Sequence, residues 1–228
     1  VHKSTKLLNV NRALFDNYLR EELRKKNEVT IIEGKEPTIS IKQYKEKVNV
    51  SLQTISRTET IETKVLVGAD GARSQIRAIL YPQEKKQFGL ISQWRVQSPQ
   101  LAELPPYFYM IFGKNISDLY AYLIFKQPDQ ILLGVGRRIQ EGMSQTTGTP
   151  IQKARMQLLQ RLTERVGPIN LTVLRRETGR IPLGEIHAGK GQILLVGDAA
   201  GLCHPFSGEG IRFAIESGIL AAESIAVY

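Results

Sequence analysis

Residues 193–201 read Ile-Leu-Leu-Val-Gly-Asp-Ala-Ala-Gly, and Pro205, Gly208-Glu209-Gly210 and Ile211 follow shortly after. An apolar run of this kind is typical of a strand that is buried on both faces. The run ends in Gly197-Asp198, which places one carboxylate at the end of the strand. The residues beyond predict the start of a helix, whose first N–H groups lack partners within the helix and favour negative charge nearby. The stretch therefore indicates a site for an anionic or polyol ligand.

A second stretch repeats the pattern upstream. Residues 65–74 read Val-Leu-Val-Gly-Ala-Asp-Gly-Ala-Arg-Ser, so that an apolar strand again ends in Asp70-Gly71. Arg73 and Arg77 follow, and they either steady phosphates or are solvated. Two such elements in one chain indicate a large cofactor that carries phosphate groups.

The two motifs together resemble those of the FAD-dependent reductases and hydroxylases that share the p-hydroxybenzoate hydroxylase fold. Asp70-Gly71 with Ser74 and Arg77 is similar to the second fingerprint of that family, and residues 197–200 with Pro205 are similar to the third. Within the family, Gly201, residues 205–211 and Ser217-Gly218 most resemble the geranylgeranyl reductase branch. The aromatic hydroxylases usually have a histidine after Gly-Asp-Ala-Ala, and Gly-Gln-Gly where this chain has Gly-Glu-Gly.

The resemblance implies an FAD cofactor, with NAD(P)H as a candidate electron donor. It implies that Asp198 binds the ribityl chain and that backbone N–H groups from Gly208 to Ile211 stabilise the anionic reduced flavin. It also implies that Asp70 and Gly71 lie near the pyrophosphate. The predicted cofactor-binding residues are Arg12, Asp70, Gly71, Gly197, Asp198, Pro205, Gly208, Gly210 and Ile211. No catalytic side chain is assigned; for His204, the alternatives are a catalytic acid and ordinary polar surface.

The N-terminal region adds one more similarity. Arg12, with Phe15-Asp16 and Leu19, resembles the helix of this family whose arginine contacts FAD. In the family a βαβ unit with a G-x-G-x-x-G fingerprint precedes this helix, whereas this sequence contains no such fingerprint and begins with Val1. We therefore expect that the dinucleotide-binding unit belongs to a longer protein, and that the FAD-binding domain here is incomplete.

The fold class that follows is α/β (α+β). It combines a partial FAD-binding domain of the glutathione reductase/p-hydroxybenzoate hydroxylase type (residues 1–86), an antiparallel substrate-binding sheet (87–180) and a return to the FAD-binding domain (181–228). The spacing of apolar residues predicts helices over residues 10–26, 150–165 and 209–227, and strands over residues 29–32, 39–44, 48–52, 65–68, 90–96, 107–112, 119–125, 131–135 and 171–174.

Each predicted helix has an apolar face. The first has Val10, Leu14, Tyr18 and Leu23; the last is expected to pack on a sheet through Ile211, Ile215, Gly218, Ile219, Ala222 and Ile225. For the middle helix, Thr149 is the expected N-cap and Pro150 the first helical residue. Its expected buried face consists of Ala154, Leu158 and Leu162, with Ile151 and Leu159.

The substrate is harder to predict. Residues 122–126, followed by residues 134–136, resemble the Tyr-x-Trp-x-Phe-Pro-Lys segment of geranylgeranyl reductases. Ile124 stands where that family has tryptophan and its proline is absent, which leaves the substrate open. The predicted substrate contacts are Trp94, Tyr122 and Phe206, with Tyr107, Tyr109 and Tyr120 as further candidates; the alternative for each is ordinary core packing.

Composition narrows the class of protein. With 228 residues and 42% hydrophobic content, the chain can form a core, and no apolar run approaches the roughly 20 residues of a membrane span. The single Cys203 rules out an internal disulfide and suits a reducing compartment, so a cytoplasmic location is expected. This cysteine is either a small buried hydrophobe or a reactive thiol. No spacing of His, Cys, Asp and Glu predicts a metal site.

The net charge of +9 has three interpretations. It is solvated surface charge, or it attracts the protein peripherally to anionic membranes, which would suit a lipid substrate. Nucleic-acid binding is disfavoured, because the basic residues are scattered and no recognition motif is present.

Three functions remain at this stage. The first is a flavin-dependent reductase of carbon–carbon double bonds in an isoprenoid or other apolar substrate. The second is a flavin monooxygenase (hydroxylase or halogenase), and the third is a truncated, non-catalytic relative.

Overall fold

The computed structural model describes residues 10–33, 37–54, 58–140 and 151–227, and the chain divides into two units, Val1–Pro37 and Thr38–Tyr228. In chain order the elements are α1 Arg12–Arg24, β1 Thr38–Gln43, β2 Val48–Gln53, β3 Thr58–Thr63, β4 Leu66–Gly68, α2 Gln75–Leu80, β5 Gln87–Gln97, α3 Pro99–Ala102, β6 Tyr109–Ile111, β7 Ala121–Gln127, β8 Gln130–Gln140, α4 Ile151–Val166, β9 Thr172–Leu183, β10 Gly189–Lys190, β11 Ile193–Leu195, a 3-10 turn Gly197–Ala200 and α5 Ile211–Ala226.

The first unit contains the helix α1. Asn11 caps it by accepting a hydrogen bond from the N–H of Leu14 at 3.4 Å, and Arg24 forms an ion pair with Glu33 at 3.2 Å. The predicted strand at residues 29–32 is wrong. A strand needs a hydrogen-bonded neighbour, and among the described residues no backbone ladder reaches this exposed segment.

The second unit begins with a three-stranded antiparallel meander of β1, β2 and β3. Val48 and Val50 of β2 point into a core, as the alternation of apolar and polar residues predicts. Strand β3 is not among the predicted strands, because Thr-Glu-Thr-Ile-Glu-Thr is polar and only its pairing with β2 makes it a strand.

The largest sheet has five antiparallel strands in the order β6-β7-β8-β5-β9. Helix α4 packs on one face through Ala154, Leu158 and Leu162, as predicted, while Thr149 and Pro150 lie outside the described residues. The predicted strand at 171–174 proves to be the start of β9, which pairs with β5 through Leu183. Because β9 is polar in its middle, only the neighbouring strand reveals its length. The predicted domain boundaries stay a prediction.

The opposite face of this sheet, which we call the open face, carries a different set of side chains. Gln93 pairs with Gly134 on one side and with Glu177 on the other, and Gly134 pairs in turn with Tyr122. Since directly paired residues point to the same side of a sheet, Gln93, Tyr122 and Glu177 share the open face.

The predicted packing face of helix α5 is wrong. Its isoleucines were expected to be buried, but Ile215 and Ile219 are 46% and 54% exposed. The helix packs instead through its small residues: Ser217 accepts a hydrogen bond from the N–H of Gly197 at 2.9 Å, and Ala221 is buried. Residues 214, 217 and 221 follow helical spacing, so the contact face is the stripe beside the isoleucines.

Candidate functional site

The two motif strands lie side by side. Strand β11 runs parallel to β4, with Leu195 opposite Gly68, and Val196 donates a backbone hydrogen bond to the Gly68 carbonyl at 3.0 Å. Parallel strands end at a common edge, where ligands of open α/β sheets bind. The structure thus brings the turns that contain Asp70 and Asp198 to the same edge.

The motif at residues 193–201 forms a tight turn against the start of α5. Its strand enters the 3-10 turn Gly197–Ala200, and a methyl group placed on Gly210 would lie 3.0 Å from Oδ1 of Asp198. Gly210 is the N-cap of α5 and supplies no side chain to cap the helix. The carboxylate of Asp198 therefore lies beside the backbone where the first N–H groups of α5 begin.

The connecting loop, residues 202–210, is held by its own hydrogen bonds. His204 accepts from the N–H of Ser207 through Nδ1 at 3.2 Å, and its backbone N–H donates to the Glu209 carbonyl at 2.8 Å. Tyr120 of the large sheet donates its hydroxyl hydrogen bond to the Ser207 carbonyl. His204 thus shapes the loop, while Pro205 and Phe206 lie exposed at its tip.

The carboxylate of the motif at residues 65–74, Asp70, has a different role. Oδ2 of Asp70 accepts hydrogen bonds from the backbone N–H groups of Gln75 and Ile76, at 2.8 and 3.3 Å, so it supports the start of α2 beside the N-cap Ser74. Gly71 has φ +78°, and a side chain there would meet open space. The predicted contact of these residues with a pyrophosphate stays a prediction.

Arg77 is not solvated: its side chain is buried, and a contact with phosphate stays a prediction. Arg77 is buried in a bidentate ion pair with Glu84 and donates to the Glu185 carbonyl at 2.8 Å and to the Ala199 carbonyl at 3.4 Å. The guanidinium holds the pKa of the Glu84 carboxyl below its ordinary value. Arg77 therefore ties α2 to the turn that carries Asp198. No local pattern predicts this role, since the carbonyl partners are more than 100 residues away in the chain.

Aromatic rings continue from the loop onto the open face. Phe206 stacks on Phe112 with ring centroids 5.6 Å apart. The centroids of Phe112 and Tyr120 are 6.1 Å apart, and those of Tyr120 and Tyr122 are 5.9 Å apart. Glycine at position 134 makes room for the Tyr122 ring, which a side chain there would overlap. Two of the predicted substrate contacts, Tyr122 and Phe206, thus belong to one aromatic patch, which we define as Phe112, Tyr120, Tyr122 and Phe206.

The third predicted substrate contact lies elsewhere. Trp94 is next to Gln93 in β5, so it points to the face that α4 covers, where it is 6% exposed and belongs to the core. Arg155 of α4 lies over its ring at 5.1 Å. The structure does not bring Trp94 together with Tyr122 and Phe206.

Two tyrosines of the patch and the neighbouring Cys203 stay uncharged at neutral pH. Burial raises the pKa of Tyr120 to about 12, and it also raises the pKa of Tyr122. Burial, with the charge of Asp198, raises the pKa of the Cys203 thiol to about 11. A thiol with so high a pKa is a poor nucleophile, which favours the interpretation of Cys203 as a small buried hydrophobe.

Arg12 belongs to the first unit. It lies in the first turn of α1 and forms an exposed ion pair with Asp16 at 3.3 Å. Its predicted contact with FAD stays a prediction. Among the described residues no cluster of metal-ligating side chains is found, and none of the described helices is long and apolar enough to cross a membrane.

Comparison with known protein families gives a match over almost the whole chain. The family described as FAD binding domain matches residues 2–227. Among curated proteins, Protein CbrA from Escherichia coli O139:H28 is 27% identical over 213 residues, which cover 92% of this chain and 56% of that protein. Protein CbrA from Shigella dysenteriae serotype 1 is also 27% identical over 213 residues. The chain spans about half the length of the curated relatives it matches.

Solved structures share the fold at low sequence identity. A geranylgeranyl bacteriochlorophyll reductase-like protein from Thermoplasma acidophilum is 20% identical with a TM-score of 0.63, covering 82% of this chain and 47% of that one. The flavin-dependent halogenase CmlS is 19% identical with a TM-score of 0.66, covering 93% and 39%. The p-nitrophenol 4-monooxygenase PnpA from Pseudomonas putida DLL-E4 is 19% identical with a TM-score of 0.59, covering 94% and 54%. The predicted fold class, with an FAD-binding domain of the p-hydroxybenzoate hydroxylase type, is thereby confirmed.

Proposed function

This chain belongs to the FAD binding domain family, and we propose that it is the FAD-binding and substrate-facing part of an oxidoreductase that reduces carbon–carbon double bonds in an isoprenoid or other apolar substrate. The observation that carries the proposal is the carboxylate of Asp198 beside the start of α5, next to the aromatic patch. A polar cofactor site and an apolar surface thus meet at the loop 202–210.

The residues at the strand edge fit an FAD molecule. The carboxylate of Asp198 suits the hydroxyl groups of a ribityl chain, and glycine at position 210 lets the backbone approach that carboxylate closely. The first N–H groups of α5 would stabilise negative charge on the cofactor. The chemistry that FAD supplies when bound is hydride transfer, with NAD(P)H as the proposed donor.

On the substrate side, the aromatic patch provides an apolar surface. Phe112 and Phe206 are 56% and 57% exposed, which leaves their faces available to an apolar substrate. Tyr120 and Tyr122 remain protonated, so their hydroxyl groups donate hydrogen bonds and bring no charge to this surface. We assign the substrate role to Phe206 as the exposed contact and to Tyr122, which is 7% exposed, as the ring beside it in the patch, and we leave Trp94 in the core under α4. We also propose peripheral attraction to anionic membranes, on the strength of the net charge of +9.

A flavin monooxygenase is the second candidate. Gly201 at first favours a reductase, but a side chain there would meet the Glu185 carbonyl at 2.5 Å, so packing alone explains this glycine. The choice of a reductase therefore rests on Gly208-Glu209-Gly210. Anaerobic turnover separates the two: a reductase converts its alkene without oxygen, whereas a monooxygenase consumes oxygen and forms a hydroxylated or halogenated product.

The substitution Asp198→Ala tests the cofactor assignment. We expect flavin affinity to fall by about 100-fold in the full protein, because the carboxylate's charge-assisted hydrogen bonds are lost. Visible absorbance after desalting measures retained flavin, and a thermal melt confirms folding. Asp198→Asn, which keeps the shape of the side chain, should lose less flavin affinity than Asp198→Ala. If the Ala variant kept flavin in a one-to-one ratio, the assignment of Asp198 would be wrong.

A further inference from the structure

The face of the large sheet that α4 covers carries a groove of its own. The groove has a volume of about 390 Å³, a size that suits a small molecule. Side chains of the sheet and of α4 line it: Trp94, Gln152, Arg155, Met156, Leu159 and Arg176. Because Trp94 follows Gln93 in β5, the two side chains point to opposite faces. The groove, which we call the α4 groove, therefore lies on the side of the sheet away from the open face.

Two arginines meet at the α4 groove. Arg155 of α4 lies over the Trp94 ring at 5.1 Å, and Arg176 of β9 is the cross-strand partner of Trp94. Since directly paired residues point to the same side of a sheet, Arg176 stands beside the ring that Arg155 covers. Burial, followed by the charge of Arg176, lowers the pKa of Arg155, so the two guanidiniums lie within each other's field. Arginine keeps its charge in proteins, so the groove holds two positive charges close together.

No carboxylate of the described chain pairs with these two arginines. Among the described residues, neither the Arg155 nor the Arg176 guanidinium has a hydrogen bond or an ion pair. Glu177, next to Arg176, points to the open face, where it binds Arg175 and Gln93. Taking a charge out of water is costly, so a charge that burial affects is normally paired. The two guanidiniums thus keep donors available for an anion from outside the described chain.

The rest of the α4 groove is mostly apolar. Trp94 and Leu159 belong to the packing between α4 and the sheet, while Met156 is 70% exposed. The methionine side chain is flexible and adapts to apolar partners of different shape. An inorganic anion would contact only the arginines, whereas a molecule with an apolar part would also cover these side chains and gain from their burial. The groove therefore fits a ligand that is both anionic and apolar.

We propose that the α4 groove binds a small amphiphilic anion, whose carboxylate or phosphate group bridges Arg155 and Arg176. Its apolar part lies against Trp94, Leu159 and Met156. The sheet separates this ligand from Tyr122 on the open face, so it is an additional ligand and not the substrate. The inference does not depend on the proposed function. By joining α4 to β9, the bound anion also stabilises the folded protein.

Three probes separate the charge from the apolar part. The first two, 4-phenylbutyrate and 4-phenylbutanol, differ in charge, and acetate lacks the apolar part. Isothermal titration calorimetry measures their binding to the full protein, to Arg155→Gln, to Arg176→Gln and to the double variant. The matched control is Lys153→Gln, which removes an exposed cation of α4 that does not line the groove. We expect the wild type and Lys153→Gln to bind phenylbutyrate at least about 10-fold more tightly than phenylbutanol or acetate.

The variants locate the site. The double variant should bind phenylbutyrate and phenylbutanol equally, and each single variant should reduce the preference. Phenylbutyrate should also shift the fluorescence of Trp94, the single tryptophan of this chain, and Trp94→Phe should remove that shift. A thermal melt checks that each variant is folded. If Arg155→Gln did not fold, Arg176→Gln, at an exposed position, would test the same pair of charges.

Four results would overturn the site. Equal affinity of the wild type for phenylbutyrate and phenylbutanol, or no binding of either, would show that the arginines select no anion. A preference that survived the double variant, or binding without a fluorescence shift, would place the anion elsewhere on the protein. Acetate binding as tight as that of phenylbutyrate would identify a free-anion site and remove the apolar part from the proposal.

Discussion

The turns after β4 and after β11 look alike in sequence and differ in what their carboxylates do. Asp70 accepts two backbone hydrogen bonds from α2 and so completes a helix of six residues. Asp198 lies beside Gly210 at the start of α5, a helix of 16 residues without a side-chain N-cap. The same strand–glycine–aspartate pattern thus supports the start of a short helix in one turn and, in the other, holds the carboxylate that we propose binds flavin. The two turns differ in how soon a helix follows the aspartate in the chain: α2 begins at Gln75, whereas α5 begins only at Ile211.

Arg77 connects the two turns, and removing it should have the largest effect on stability. Arg77→Met leaves Glu84 buried without its partner and frees the Ala199 and Glu185 carbonyls. We expect a loss of about 3–5 kcal/mol in the free energy of unfolding, measured by urea denaturation. Arg73→Met, at an exposed position four residues earlier, should cost less than about 0.5 kcal/mol. Similar losses in both variants would show that Arg77 does not tie the turns together.

Two glycines, one in each turn, provide the next comparison. Gly71 and Gly201 have φ of +78° and +84°, so alanine is strained at both. Only at Gly201 would the new methyl group also meet a backbone carbonyl, at 2.5 Å. We expect Gly71→Ala to cost about 1 kcal/mol and Gly201→Ala about 3 kcal/mol in thermal or urea melts. Equal costs would mean that the second turn is no more tightly packed than the first.

The role of Asp70 at the start of α2 predicts a smaller effect. Asp70→Ala should lower stability by about 1 kcal/mol, because the N–H groups of Gln75 and Ile76 lose their acceptor while the N-cap Ser74 remains, and it should weaken flavin binding much less than Asp198→Ala. Circular dichroism melts and flavin absorbance measure the two effects on the same preparation. If Asp70→Ala lost flavin completely at unchanged stability, the division of roles between the aspartates would be reversed.

The smallest effect concerns pH. The pKa of Glu84 lies below its ordinary value of 4.5, chiefly because it is hydrogen-bonded to Arg77. The ion pair therefore contributes its full stability above pH 4.5 and loses it as the pH falls through the lowered pKa. The difference in unfolding free energy between the wild type and Glu84→Gln should be constant from pH 5 upward and shrink below pH 4.5. A difference independent of pH would contradict this account.

Local pattern predicted much of the fold. The apolar runs at residues 65–68 and 193–195 became neighbouring strands, and the alternation in β2 and the helical spacing of Ala154, Leu158 and Leu162 gave the correct buried sides. Such signals are local, because side-chain direction follows from the period of the strand or helix. Polar strands such as β3 were missed, since their only signal is a partner strand.

By itself, the sequence determined the family motifs, the FAD-binding class and the presence of two carboxylates at strand ends. Only the tertiary structure decided that Asp70 binds the first N–H groups of α2, that Arg77 reaches a carbonyl 108 residues away, and that Trp94 lies under α4 while Tyr122 lies buried on the opposite face of the same sheet. These outcomes depend on contacts between segments far apart in the chain. Residue spacing fixes which side of a strand a residue takes, but the rest of the chain decides which side is covered.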